Sequence, residues 1–279
     1  ADTLHLEFKG IDLTFLNYFT NKKDDPDNLS LNLRGKIDGN IFVTDIYHNA
    51  LLESNLKIED FYLLQSSFGD IEASSVWNNT SKVADIHVFN NLNGQKMFEV
   101  DGTYDPEYKE MDLIINTEQL PVDALNPLLK VFASDINGKA SGILNFNSSP
   151  GKLQLKGAIL AENTSMQIDY LQTKYSFTDS IRFDNNVISF NNITLYDVQG
   201  NTATLNGSVF HNNFKDYGTD LLINMNECMV LNTKYKDNEV FYGSAFASGV
   251  TTIKSKEGIL SFDISARIGE DTKINIPLN

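Results

Sequence analysis

Along most of this chain apolar side chains return at every second position. Leu31/Leu33, Phe98/Val100, Leu113/Ile115, Leu144/Phe146, Leu153/Leu155, Ile188/Phe190, Phe262/Ile264 and Ile274/Ile276 each skip one residue. Alternate residues of an extended strand share a face, so this pattern predicts strands with one apolar and one wet face. Between them stand turn signals: Asp24-Asp25-Pro26-Asp27-Asn28, Asn93-Gly94, Asp105-Pro106, Ser149-Pro150-Gly151, Asn185-Asn186, Asn212-Asn213 and Lys256-Glu257-Gly258. Connections this short predict antiparallel meanders. Two segments break the alternation. Pro121 to Phe132 sets Val122, Leu125, Leu128, Leu129 and Phe132 at helical spacing, with Pro127 predicting a kink or two short turns. Gly10 to Phe19 is its counterpart earlier in the chain, whereas Cys228 to Asn232 is too short for a helix and is expected to stay extended.

The strands also repeat. Ala140-Ser141-Gly142 and Ala247-Ser248-Gly249 are each followed nine residues later by a turn glycine, Gly151 and Gly258, and both glycine pairs are 107 residues apart. Phe98 to Gly102 followed by Asp112 to Asn116 is answered by Ala203 to Gly207 followed by Asp220 to Asn224, and Gly35 to Gly39 stands where Gly138 to Gly142 stands later. Self-similarity at a fixed period identifies a repeat architecture. The chain divides into residues 1–34, the end of a truncated repeat with a short helix near 11–19; 35–137, a first unit ending in a helix near 121–132; 138–248, a second unit; and 249–279, the start of a third. The expected fold is mainly β: an antiparallel repeat sheet curled into an elongated taco or open sandwich with an apolar interior, plus one or two short helices. Glycines within the strands are expected to relieve crowding at bends or bulges.

With 279 residues, 41% of them hydrophobic, the chain can bury a core. No run approaches the roughly 18 apolar residues that span a bilayer. Ala1-Asp2-Thr3 has neither an initiating Met nor a basic leader, while Leu4, Leu6 and Phe8 already alternate as a strand, so the chain reads as a piece of something longer. A net charge of −15 argues against nucleic acid and against docking on anionic headgroups.

Candidate chemistry is sparse. His5, His48, His87 and His211 are far apart and lack helical metal spacing, and three of them lie in alternating segments where a surface histidine is expected. Asp24, Asp25 and Asp27 crowd one loop without the calcium-loop pattern. Lone Cys228 reads as a small strand hydrophobe beside Met225 and Met229. Neither a nucleophile elbow, a phosphate loop nor a dinucleotide fingerprint is present. No residue is assigned to catalysis, to a cofactor or to a metal, and the chain is expected not to be an enzyme.

The passage Leu120 to Leu129, then Gly138-Lys-Ala-Ser-Gly142-Ile-Leu-Asn-Phe-Asn147, then Ser149-Pro-Gly-Lys-Leu-Gln-Leu-Lys-Gly157 resembles the repeat of the AsmA-like superfamily. Phe241 to Gly249, Gly258 to Ala266 and Lys273 to Leu278 resemble its TamB branch, particularly the Bacteroidota versions. The resemblance implies a periplasmic body of antiparallel sheet around an apolar groove, held in the inner membrane by one N-terminal helix. It also implies an Omp85-type barrel as partner and a part in outer-membrane biogenesis, including phospholipid movement between the membranes. On that reading acyl chains lie in a trough whose candidate lining is Leu144, Phe146, Leu153, Leu155, Ile188, Phe190, Phe262 and Ile264. Two alternatives stay open: a scaffold that guides outer-membrane proteins or offers strand edges to the barrel, and a carbohydrate-binding or carbohydrate-acting β protein.

Overall fold

The computed structural model describes residues 3–20, 32–44, 51–64, 66–126, 133–213, 215–256 and 259–277. In chain order the strands are β1 (Thr3–Asp12), β2 (Arg34–Thr44), β3 (Leu51–Leu63), β4 (Ser66–Asn78), β5 (Val83–Asn91), β6 (Phe98–Asp105), β7 (Glu110–Pro121) and β8 (Ala133–Ser149). They continue with β9 (Lys152–Ile168), β10 (Thr173–Asp184), β11 (Val187–Asp197), β12 (Thr202–Asn212), β13 (Lys215–Thr233), β14 (Tyr242–Lys256), β15 (Ile259–Ile268) and β16 (Lys273–Asn275). Each strand from β1 to β14 pairs with the next in sequence, and β16 pairs with β14. The expected class, a mainly β antiparallel repeat sheet with short helices, is the one observed, and the sheet is open, with β1 and β15 at the two ends of its order.

Contacts divide the chain into two compact units: Ala1–Pro127 with Ser141–Gly157, and Leu128–Ala140 with Ala158–Asn279. In the first unit the register carries an apolar row across seven strands, Phe8, Gly39, Leu56, Ala73, Val88, Val100 and Ile115. Every member is only half-buried. The adjacent row, Ile11, Ile37, Ile58, Ile71 and Asn90, is deeper, with Ile37, Ile71 and Asn90 buried. Beyond it Leu13, Leu64 and Phe68 close that end. Asn90, 0% exposed, is tolerated because its amide donates to the Phe68 carbonyl and its oxygen accepts from the Met97 and Phe98 N–H groups. Leu13 is presented by a short 3-10 helix, Leu13–Leu16, whose first turn is capped by the Asp12 carboxylate accepting from the Thr14 N–H at 2.8 Å.

The second unit repeats this taper. Its core gathers Ala161, Phe177 and Ile193, with Met166, Ile181, Phe190, Leu195 and Leu205 packed against them. Toward one end Cys228, Met229, Leu231 and Ala245 to Ala247 are also buried. There β13 meets segments two or more strands away in the sheet order. The Tyr175 hydroxyl donates to the Met229 carbonyl at 2.7 Å, and the Asn232 N–H to the Leu171 carbonyl at 2.8 Å. The Met229 N–H also donates to Asp197 Oδ2 at 2.8 Å.

A recurring device marks the odd-numbered strands. Six left-handed residues, Gly10, Asp60, Gln119, Asn163, Asn192 and Glu227, each donate their N–H to a short polar side chain on the following strand. The acceptors are Asp38, Asp70, Ser141, Thr178, Asn206 and Ser248, at 2.8 to 3.1 Å. Register shifts between Phe8 and Ile11, Ile58 and Phe61, Phe190 and Ile193, and Met225 and Cys228 mark four of these as bulges. An extra residue locally unpairs the ladder, and the side-chain acceptor takes up the freed amide. Five of the six acceptors adjoin a glycine in sequence. Gly207 shows why: at φ +123° it lies so close to β13 that a Cβ would fall 2.1 Å from the Asp220 carbonyl oxygen. The paired Ala-Ser-Gly triplets are therefore clips, in which serine caps the bulge and glycine admits the neighbouring backbone. Equivalent clips on β1/β2, β7/β8 and β13/β14 give a period of six strands.

The helical expectations are realised in part. Residues 13–20 form the 3-10 turn and one α turn, Asn17–Thr20. At the second site β7 stays extended through Pro121, and only Val122–Leu125 turns, as a 3-10 helix. Residues 127–132 lie outside the described residues, as do the 24–28 turn, Leu31 and Gly258. Cys228 to Asn232 is extended within β13, as expected.

Candidate functional site

The sequence-predicted lining residues fall in both units. Leu144 and Phe146 on β8, with Leu153 and Leu155 on β9, belong to the first; all four are half-buried, while Asn145 between the first pair is exposed and Gln154 between the second is half-buried. Ile188, Phe190, Phe262 and Ile264 belong to the second, where the register sets them on one face. One row runs Ile181, Phe190, Gly207, Leu221, Ile253, Phe262. Ile188 lies in the row Phe183, Ile188, Val209, Thr219, Ser255, Leu260, and Ile264 in the row Ile193, Leu205, Ile223, Thr251, Ile264. Exposure grades along these rows. Ile193 is 1% exposed, Ile188 and Phe190 are half-buried, and Phe262 and Ile264 on β15 are 56% and 63% exposed.

The first unit's row from Phe8 to Ile115 was not among the predicted lining residues. Its signal is present as alternation in β1 to β7, but which residues share a row depends on the bulges at Gly10 and Asp60, which shift register by local geometry.

Titratable groups divide into those the fold consumes and those it leaves outside. Cys228 is 1% exposed, and burial first, then the neighbouring Asp197 charge, pushes its thiol up to about 12, so no thiolate is available. Asp197 is a buried hub. Burial alone would raise its pKa, but hydrogen bonds from the N–H groups of Met229, Gln199 and Asn201 and from the Asn201 amide outweigh it and hold the carboxyl below its ordinary value. His211, expected at the surface, is buried, and desolvation lowers its pKa. His5 is exposed, with Nε2 2.8 Å from Asn40 Oδ1 and its ring stacked on Phe42. His48 and the Asp24 to Asp27 cluster lie outside the described residues. His87, Glu99 and Asp101, distant in sequence pattern, converge on the wet face of β5 and β6.

A shallow depression of about 300 Å³ is lined by Asn206, Gly207, Ser208, Phe210, Asp220 and Leu222. Apart from Gly207, these residues alternate with the apolar row and so face the opposite side of the sheet from it. No helix of the described residues is long and apolar enough to cross a membrane. Comparison of the chain with protein-family models, with curated proteins and with solved structures finds no match. What the site offers is apolar surface graded from buried to open in each unit, without a polar group inside it positioned for covalent chemistry among the residues named.

Proposed function

We propose that this chain is a non-enzymatic, periplasmic part of a TamB-like protein that shields phospholipid acyl chains on its apolar sheet face during transport between the inner and outer membranes. The observation that carries the reading is the seven-strand row from Phe8 to Ile115, continuous, apolar and nowhere fully covered, beside a row in which Ile37, Ile71 and Asn90 are buried. A packed core would bury such a row; a lipid surface would leave it for tails. Each methylene moved from water onto apolar surface contributes about 0.8 kcal/mol, so two acyl chains supply a large driving force while the headgroup remains in water. An inner-membrane anchor and an Omp85-family barrel as partner belong to the same proposal.

Phe262 and Ile264 give the cleanest test because they are exposed, and charge there costs folding little. Chain purified from a Gram-negative host should carry phospholipid detectable by mass spectrometry, and Phe262→Asp with Ile264→Asp should strip most of it while the circular dichroism spectrum is retained. Wild-type chain that is lipid-free after mild purification would overturn the proposal. The single-sided pairing of β1 and β15 favours a second reading, a scaffold that adds strands from a client or barrel. Photocrosslinkers in β15 should then trap polypeptide in cells, with no lipid recovered.

A further inference from the structure

The geometry points to a divalent-metal site on the wet face of β5 and β6, built from His87, Glu99 and Asp101, that takes a borderline cation such as Zn²⁺. The three side chains come from strands held in register, with His87 opposite Asp101 and Phe89 opposite Glu99, and one ligand atom from each lies within 4.8 Å of the others. His87 Nδ1 is 2.7 Å from Asp101 Oδ1. An ionised carboxylate can only accept, so Nδ1 carries the proton, and in the neutral ring Nε2 presents its lone pair. That nitrogen faces Glu99 Oε1 at 3.7 Å, beyond hydrogen-bond length. Two electron-rich atoms across such a gap are matched by a cation between them. Bonds of about 2.1 Å from nitrogen and oxygen to zinc span it at an angle of about 124°, so a small closing of the gap brings the pair to tetrahedral coordination, with water completing the shell.

Asp101 then acts as the orienting carboxylate that fixes the tautomer and raises the basicity of the metal-binding nitrogen. In the register Asn116 on β7 stands opposite Glu99. The position already attracts positive charge. Lys96 Nζ lies 2.7 Å from Glu99 Oε1 and 4.7 Å from the centre of the Phe89 ring. Lys96 is thus a tethered competitor: it neutralises Glu99 when metal is scarce and must swing away when metal binds. Imidazole with carboxylate suits zinc over calcium or magnesium.

The test is a zinc chloride titration of the whole chain, read by imidazole nitrogen resonances in NMR and by calorimetry. Saturable movement of the His87 ring signals is expected. His87→Ala and Glu99→Gln should each weaken binding at least tenfold, Asp101→Ala about tenfold, and Lys96→Met should tighten it several-fold. His87, Glu99 and Asp101 are on exposed or half-exposed strand faces and Lys96 is in the exposed connection before β6, and unchanged circular dichroism will show that the variants fold. His87 signals that stay fixed up to millimolar zinc would overturn the site, as would an affinity unchanged in Glu99→Gln or weakened in Lys96→Met.

Discussion

Gly207 concentrates the backbone demands of this fold at one residue. Its φ of +123° excludes ordinary side chains, and the Asp220 carbonyl occupies the space a Cβ would need. On its other side it pairs with Phe190 of β11. Gly207→Ala should therefore cost about 3 kcal/mol, the upper range for a forced left-handed residue, read as a lower midpoint in urea unfolding. An unchanged midpoint would mean that β12 and β13 separate easily. Asp197 is the complementary case, a carboxylate retained in the interior because backbone N–H groups from its own turn and from β13 satisfy it. Neither residue is catalytic, and both show polar or minimal groups consumed by chain geometry.

At the scale of the hairpin, the side-chain clip is the unit of construction. Ser248 accepts from the Glu227 N–H at 2.9 Å at a surface-exposed bulge. Ser248→Ala should lose about 1 kcal/mol, the net worth of one such bond, whereas Ser248→Asn or Ser248→Asp should be nearly neutral, because Asn206, Asp38 and Asp70 perform the same task elsewhere. Thermal unfolding of the three variants distinguishes a clip from a serine retained for another reason. The strands and most turns were legible from alternation, because a half-buried strand states its pattern residue by residue. The 107-residue spacing of Ala-Ser-Gly was legible as well, though its purpose was not: the partners Gln119 and Glu227 lie more than twenty residues away and carry no local signal. Of the helix expected after Pro121, only the turn Val122–Leu125 lies within the described residues, where Leu and Val at helical spacing suit a tight turn at a strand end. His87, Glu99 and Asp101 escaped a search along the sequence because their proximity is created by pairing across the β5–β6 hairpin.

For the whole molecule, charge and apolar exposure oppose each other. A net charge of −15 keeps copies apart, while β15 exposes Ile259, Leu260, Phe262, Ile264 and Ile268 beside an unpaired edge. Near the sequence pI of about 4.6 the repulsion vanishes. Analytical ultracentrifugation should then show association that reverses at neutral pH, and Phe262→Lys with Ile264→Lys should suppress it by charging the edge. Association that persists in that double variant would place the sticky surface elsewhere. The same exposed strand is where lipid or a client strand would first be met under the proposed function.

The side-chain clips carry one more consequence. Each joins an odd-numbered strand to the one that follows it, in every such pair from β1/β2 to β13/β14 except β5/β6. A protein assembled this way can gain or lose hairpins two strands at a time and keep its remaining faces aligned. Length then becomes adjustable in steps of one hairpin, set by the distance to be bridged.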